Sequence, residues 1–95
     1  MISKEDENRI KNILPDFDFE ILKEIIYFDS WTSFEEYHGL LIFKAFDDSY
    51  QTLEYGHNVY VGDYLNGIDE ISKEEAELEI ECHQKDIEEY STFGY

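Results

Sequence analysis

The sequence has little positive charge. Seven lysines and arginines stand against 24 aspartates and glutamates in 95 residues, a formal charge of −17. Phosphate backbones and anionic lipid repel such a chain, which argues against direct binding to DNA, RNA or an anionic membrane. The single cysteine, Cys82, excludes an internal disulfide framework. No apolar run approaches the roughly 20 residues that span a bilayer. The opening MISKEDENRIK is charged and lacks the apolar core of a secretory signal. A soluble, cytoplasmic protein is the expectation. There is no glycine-rich phosphate loop and no zinc-type spacing of Cys and His, so no cofactor or metal is expected.

What is present is a folded composition. Apolar residues make up 42% and aromatics 17%, with eight Tyr, seven Phe and one Trp. That is too much apolar surface for a disordered acidic tail, and the length suits one domain with a modest core, residues 1–95. Charge is uneven. Residues 1–44 carry ten acids and five bases, and residues 45–95 carry fourteen acids and two bases. A net charge this large costs stability through self-repulsion, so it calls for a use, either solubility or a basic partner.

The most informative stretch is Ser72 to Tyr90, SKEEAELEIECHQKDIEEY, with eight acids against two lysines. Ser72 followed by Glu75 is a capping box, and early glutamates suit the positive end of a helix dipole. Ala76, Ile80, His83, Ile87 and Tyr90 recur as one helical stripe. The alternation of Ala76, Leu78, Ile80 and Cys82 with glutamates also fits a strand, but Glu, Ala, Lys and Leu favour the helix. Leu78 and Cys82 then lie off the stripe, where they would touch a partner or a second copy.

Upstream, Ser3 and Asp6 repeat the capping pattern before Ile10, Ile13 and Leu14, and Pro15 closes that helix. Phe19, Leu22, Ile25 and Ile26 at helical spacing predict a second helix over about 18–28. Asp29–Tyr37 reads as a connection carrying Trp31 and Phe34. Leu40–Phe46, Tyr50–Tyr55 and Val59–Leu65 read as three strands, joined by turns at 47–49 and 56–58. Gly62 inside the third marks a bulge, and Asn66-Gly67 is a further turn. The tail, Ser91–Tyr95, orders only if Phe93 or Tyr95 finds a pocket. The predicted fold is α+β: two short N-terminal helices, a three-stranded antiparallel meander with one face on the helices, and a C-terminal acidic helix.

Catalytic chemistry is poorly supported. His38, His57 and His83 are scattered, and neighbours Cys82 and His83 point apart on a helix. His83 on the apolar stripe reads as a satisfied boundary residue. Asp16, Asp18 and Glu20 alternate like a calcium loop but lack its glycine and closing glutamate, and capping accounts for them.

In size, charge, tyrosine content and the segment GIDEISKEEAELEIE at 67–81, the chain resembles the small acidic phage-encoded DNA mimics and the anti-CRISPR and anti-restriction inhibitors. The resemblance implies a stoichiometric inhibitor, not an enzyme. It would occupy the nucleic-acid site of a host defence nuclease. Its partner would be a basic nucleic-acid-binding protein, engaged by a monomer or homodimer. The expected contact residues are Glu74, Glu77, Glu81 and Glu88 on the helix, Asp47, Asp48, Glu54 and Asp63 on the meander, and Asp69, Glu70 and Tyr64. An immunity protein neutralising a basic nuclease toxin would use the same physics.

Overall fold

A computed structural model describes residues 3–93, and side chains through Glu89. The chain forms helix α1 (Lys4–Ile13), strands β1 (Leu22–Thr32), β2 (Tyr37–Ala45), β3 (Tyr50–Asn58), β4 (Gly62–Leu65) and β5 (Asp69–Ile71), and helix α2 (Lys73–Phe93). The sheet is antiparallel, in the order β1-β2-β3-β4, and β5 also pairs with β3. β5 meets Tyr50–Thr52 of β3 and β4 meets Tyr55–Asn58. The two short strands thus share one edge of β3. Loop 66–68 interrupts that edge, and Asn66 N–H donates to the Glu54 carbonyl across the gap at 2.9 Å.

β2 lies at the centre because it is apolar on both faces. Leu41 and Phe43 point to one side, into a core with Ile10 and Leu14 of the α1 segment, Leu22, Leu53 and Tyr55. Leu40 and Ile42 point to the other side, against Ala76 and Ile80 of α2. The molecule is therefore a three-layer sandwich with one helix on each face. This corrects the expectation of a sheet covered on one face only.

Both helix starts follow the sequence. Ser3 Oγ accepts from Asp6 N–H at 3.1 Å. Ser72 Oγ accepts from Glu75 N–H at 3.1 Å, and Ser72 N–H reaches the Glu75 carboxylate at 3.4 Å, so the capping box closes. Leu14 caps α1 ahead of Pro15. Residues 76–82 are helix, which decides against the strand reading.

The second N-terminal helix does not form. Asp18 caps only a single 3₁₀ turn, Phe19–Ile21, and β1 follows. The spacing misled for a physical reason. Register shifts at Leu22/Glu24 and Ile25/Tyr27 interrupt the alternation of β1. They bring Phe19, Leu22, Ile25 and Phe28 to the same core at intervals of three, which imitates a helix. The β-branched and aromatic content, IIYF and WT, was the truer signal.

The predicted connection 29–37 shrinks to residues 33–36, with Trp31 inside β1. The predicted turn at 56–58 lies inside β3, and the turn falls at 59–61. Asn58 Oδ1 accepts from the N–H groups of both Tyr60 and Val61 at 2.9 Å and organises it. Gly56 serves a close approach. A Cβ there would meet the Tyr37 carbonyl oxygen at 2.3 Å and the Tyr64 hydroxyl at 2.5 Å. Gly62 is no bulge but opens β4 at φ +74°, a left-handed conformation that glycine adopts without strain. The meander's third strand is accordingly only Gly62–Leu65, and Asp69–Ile71 adds the further strand β5. α2 continues through Phe93. The Tyr90 and Phe93 side chains, and Tyr95, lie outside what is described.

Candidate interaction surface

α2 is held to the sheet by one stripe. Ala76 and His83 are buried, and Ile80 and Ile87 are half-buried. Ala76 is small enough to let the helix backbone come close to Leu40 and Ile42. His83 fixes the middle of the helix by two bonds. Its Nε2 lies 3.3 Å from the His38 carbonyl oxygen, which can only accept, so Nε2 carries the proton. Its Nδ1 then accepts from the Tyr27 hydroxyl at 3.2 Å. Burial, the largest influence, pushes the His83 pKa down, so the ring stays neutral. It is the satisfied boundary residue that the stripe suggested. Cys82 next to it is exposed, and the two diverge as helix geometry requires.

With that face fixed, the opposite face must be wet. Glu74, Glu77, Glu81 and Glu88 are all exposed. At about 1.5 Å rise per residue they form a row about 21 Å long. Lys85 pairs with Glu81 at 3.4 Å. That exposed pair screens little of the row. Leu78 is 60% exposed and joins Cys82 outside the stripe, where the sequence placed both.

The other expected contact residues scatter. By register, Glu54 and Asp69 belong to the sheet face that α2 covers, with Tyr64. Glu54 is half-buried, with Oε2 3.5 Å from His38 Nε2, and the Tyr64 ring stacks on His38. Burial and the nearby Glu54 raise the Tyr64 pKa. Glu70 and Asp63 belong to the opposite sheet face. Asp63 is held 2.8 Å from His57 Nδ1. Asp47 and Asp48 sit in the β2–β3 turn. Asp47 accepts from Ser49 N–H and Oγ, which lowers its pKa, and Asp48 pairs with Lys23. The row on α2 is thus the one continuous part of the set. The meander acids are spread over two faces and a turn, and several already have partners.

A polar cluster under α2 was not anticipated. His38, Glu54, Glu79, Cys82, His83 and Asp86 border a cavity of about 190 Å³ between helix and sheet. Thr52 Oγ1 donates to Glu79 at 3.1 Å, while burial raises the Glu79 pKa. Glu79 was legible in principle, since it lies three residues after Ala76 and four before His83 and so flanks the stripe. Tyr27 and His38 were not, because they reach His83 across 56 and 45 residues. Among the described residues, no group of three His, Cys, Asp or Glu is placed to hold a metal ion. Nor is any described helix long and apolar enough to cross a membrane. No family model, curated protein or solved structure matches the chain.

Proposed function

We propose that the protein captures a basic nucleic-acid-binding protein, such as a nuclease complex of a host defence system, through the outer face of α2. It acts stoichiometrically as an inhibitor. The observation that carries this reading is the exposed row Glu74, Glu77, Glu81 and Glu88 on a helix whose other face is fixed to the sheet. Those charges are not needed to hold α2. Beyond the helix-end position of Glu74 and the exposed pair of Glu81 with Lys85, they add self-repulsion where they stand, and a positive surface would relieve it.

Magnitude sets the kind of mimicry. α2 is about 31 Å long. It carries a formal −6 through its eight acids and two lysines. Duplex DNA of that length carries about 18 phosphate charges. The helix has one-third of that density, so it acts as a steering field for Lys and Arg rather than as a replica of the duplex. Such a field raises the association rate and makes it salt-dependent.

The test is capture from bacterial lysate on immobilised protein at low salt, elution by a salt gradient, and mass spectrometry. Basic nucleic-acid-binding proteins should elute with salt and be displaced by added duplex DNA. The variant with Gln at 74, 77, 81 and 88 should lose them. If the variant retains the same proteins at the same salt, the α2 face is not the docking surface.

A further inference from the structure

On the other side of the sheet, the turn after α1 and the 63–68 segment enclose a groove of about 540 Å³. Its walls are apolar: Leu14, Phe17, Leu53, Tyr55, Leu65 and Ile68. Leu65 is 60% exposed and Ile68 41%, so apolar surface is left open at its mouth. Asp16, Asp18 and Asp63 also line it, and no lysine, arginine or histidine does. Asp16 and Asp18 are exposed at the turn, and Asp18 caps the 3₁₀ turn through Glu20 N–H. The groove therefore joins an apolar floor to a negative rim.

A second observation selects the occupant. β4, which supplies Asp63, Tyr64 and Leu65 to the groove, pairs only with β3 among the described residues. Its outer edge offers backbone N–H and C=O groups to another extended chain. We infer that this groove and edge take a short extended peptide segment with an apolar centre and flanking lysine or arginine. The segment adds to β4, sets an apolar side chain on Leu14, Phe17 and Leu65, and brings its cations to Asp16, Asp18 and Asp63. Main-chain pairing supplies affinity in this mode, and the pocket with its rim supplies selectivity. The site is independent of the α2 surface, so either stands if the other fails.

The test uses three capped pentapeptides and NMR of the labelled protein. One has a leucine–valine–leucine centre with lysine at each end. The second replaces the lysines by glutamate. The third keeps the lysines around three serines. The first should give saturable shifts in amides 14, 16–18 and 62–68 and in the Leu14, Leu53 and Leu65 methyls. The second should give none there. The third should give only weak shifts spread along the acidic surface. The D16N/D18N/D63N variant should bind the first about tenfold less tightly, the exposed pairs of its two lysines being worth about that much together. Leu65→Arg, at an exposed position, should abolish binding while the melting temperature holds. Equal binding of the first and third peptides leaves only the charge field and overturns the proposal. So do equal binding of the first and second, or no saturable shift with the first. Binding of 4-phenylbutylamine in the groove without the first peptide would instead make it a small-ligand pocket, which also overturns the peptide assignment.

Discussion

The two helices cover opposite faces of one sheet and do opposite jobs. α1 has three acids and three bases, a formal charge of zero, and Arg9 and Lys11 pair within it with Asp6 and Glu7. Its segment seats Ile10, fully buried, and Leu14 in the larger core, where Phe17 and Phe43 meet edge to face at 5.7 Å. α2 is twice as long and carries −6, yet its stripe includes an alanine and a histidine. Its hold on the sheet is partly polar, and the buried apolar cluster on its side is the smaller of the two. One face of the sheet therefore carries most of the apolar packing, and the other presents the charge. Separating the two tasks lets an acidic row persist without unpaired carboxylates in the main core.

The strongest way to break this contrast is in the cores. Phe43→Ala, at a fully buried position on the α1 side, should cost about 3–5 kcal/mol. Ile80→Ala, half-buried on the sheet side of α2, should cost less than about 2 kcal/mol. Urea midpoints at constant m-value check both, and equal losses would mean that the two sides share the stability evenly.

The charge contrast is sharpened by two matched sets of substitutions. Gln at Glu74, Glu77, Glu81 and Glu88 should weaken capture of the partner at least tenfold at low salt, each exposed pair being worth up to about 1 kcal/mol. The melting temperature should stay level or rise as repulsion falls, less a small loss at Glu74 in the first turn of α2. Amide replacements at Glu5, Asp6, Glu7 and Glu20 should leave capture nearly unchanged. Three of those acids stand in the first turn of α1, where negative charge is stabilising, so they should instead lower the melting temperature slightly. Glu77→Gln alone should have little effect on binding. Equal loss of capture from both sets would mean that net charge, and not α2, directs the encounter.

pH probes the polar anchor of α2, which α1 does not have. The His83 pKa is depressed in the fold below the 6.5 of an ordinary histidine, so the unfolded chain binds more protons in that range. Its contribution is complete above pH 6.5 and is lost as pH falls through the folded value. The stability difference between the wild type and His83→Gln should be largest near pH 7.5 and narrow toward pH 5. A constant difference in thermal melts across that range would show that His83 does not titrate differently on folding.

The smallest effect belongs to Glu79. Its pKa is raised above 4.5, chiefly by burial and against the hydrogen bond from Thr52. What its protonated form adds is present below pH 4.5 and lost as pH rises through the folded value. Glu79→Gln keeps an acceptor for Thr52, so it should melt slightly higher than the wild type at pH 7 and equally at pH 4. A lower melt at pH 7 would mean that the charged carboxylate is favoured in that position.

How much of this was legible follows from the range of each interaction. Both caps, the end of α1 at Pro15, the α2 stripe and its wet face depend on residues at most a few turns apart, and the chain states them openly. The β2–β3 turn at Asp47–Ser49 is local in the same way. β1 was hidden because two register shifts gave a strand the spacing of a helix, and only pairing with β2 reveals the shifts. Gly56 looked like a turn because the reason for it, the Tyr64 ring and the Tyr37 carbonyl, lies on neighbouring strands.

By itself, the sequence determined the charge, its bias to the second half, the two capped helices and which side of α2 faces water. Those properties need only composition and helical geometry. The tertiary structure decided that α1 and α2 lie on opposite faces, that His83 joins Tyr27 to His38, and that Asp16, Asp18 and Asp63 meet around one apolar groove. Each of these brings together residues tens of positions apart. The pairing order of the strands fixes which of them meet, and no local pattern encodes it.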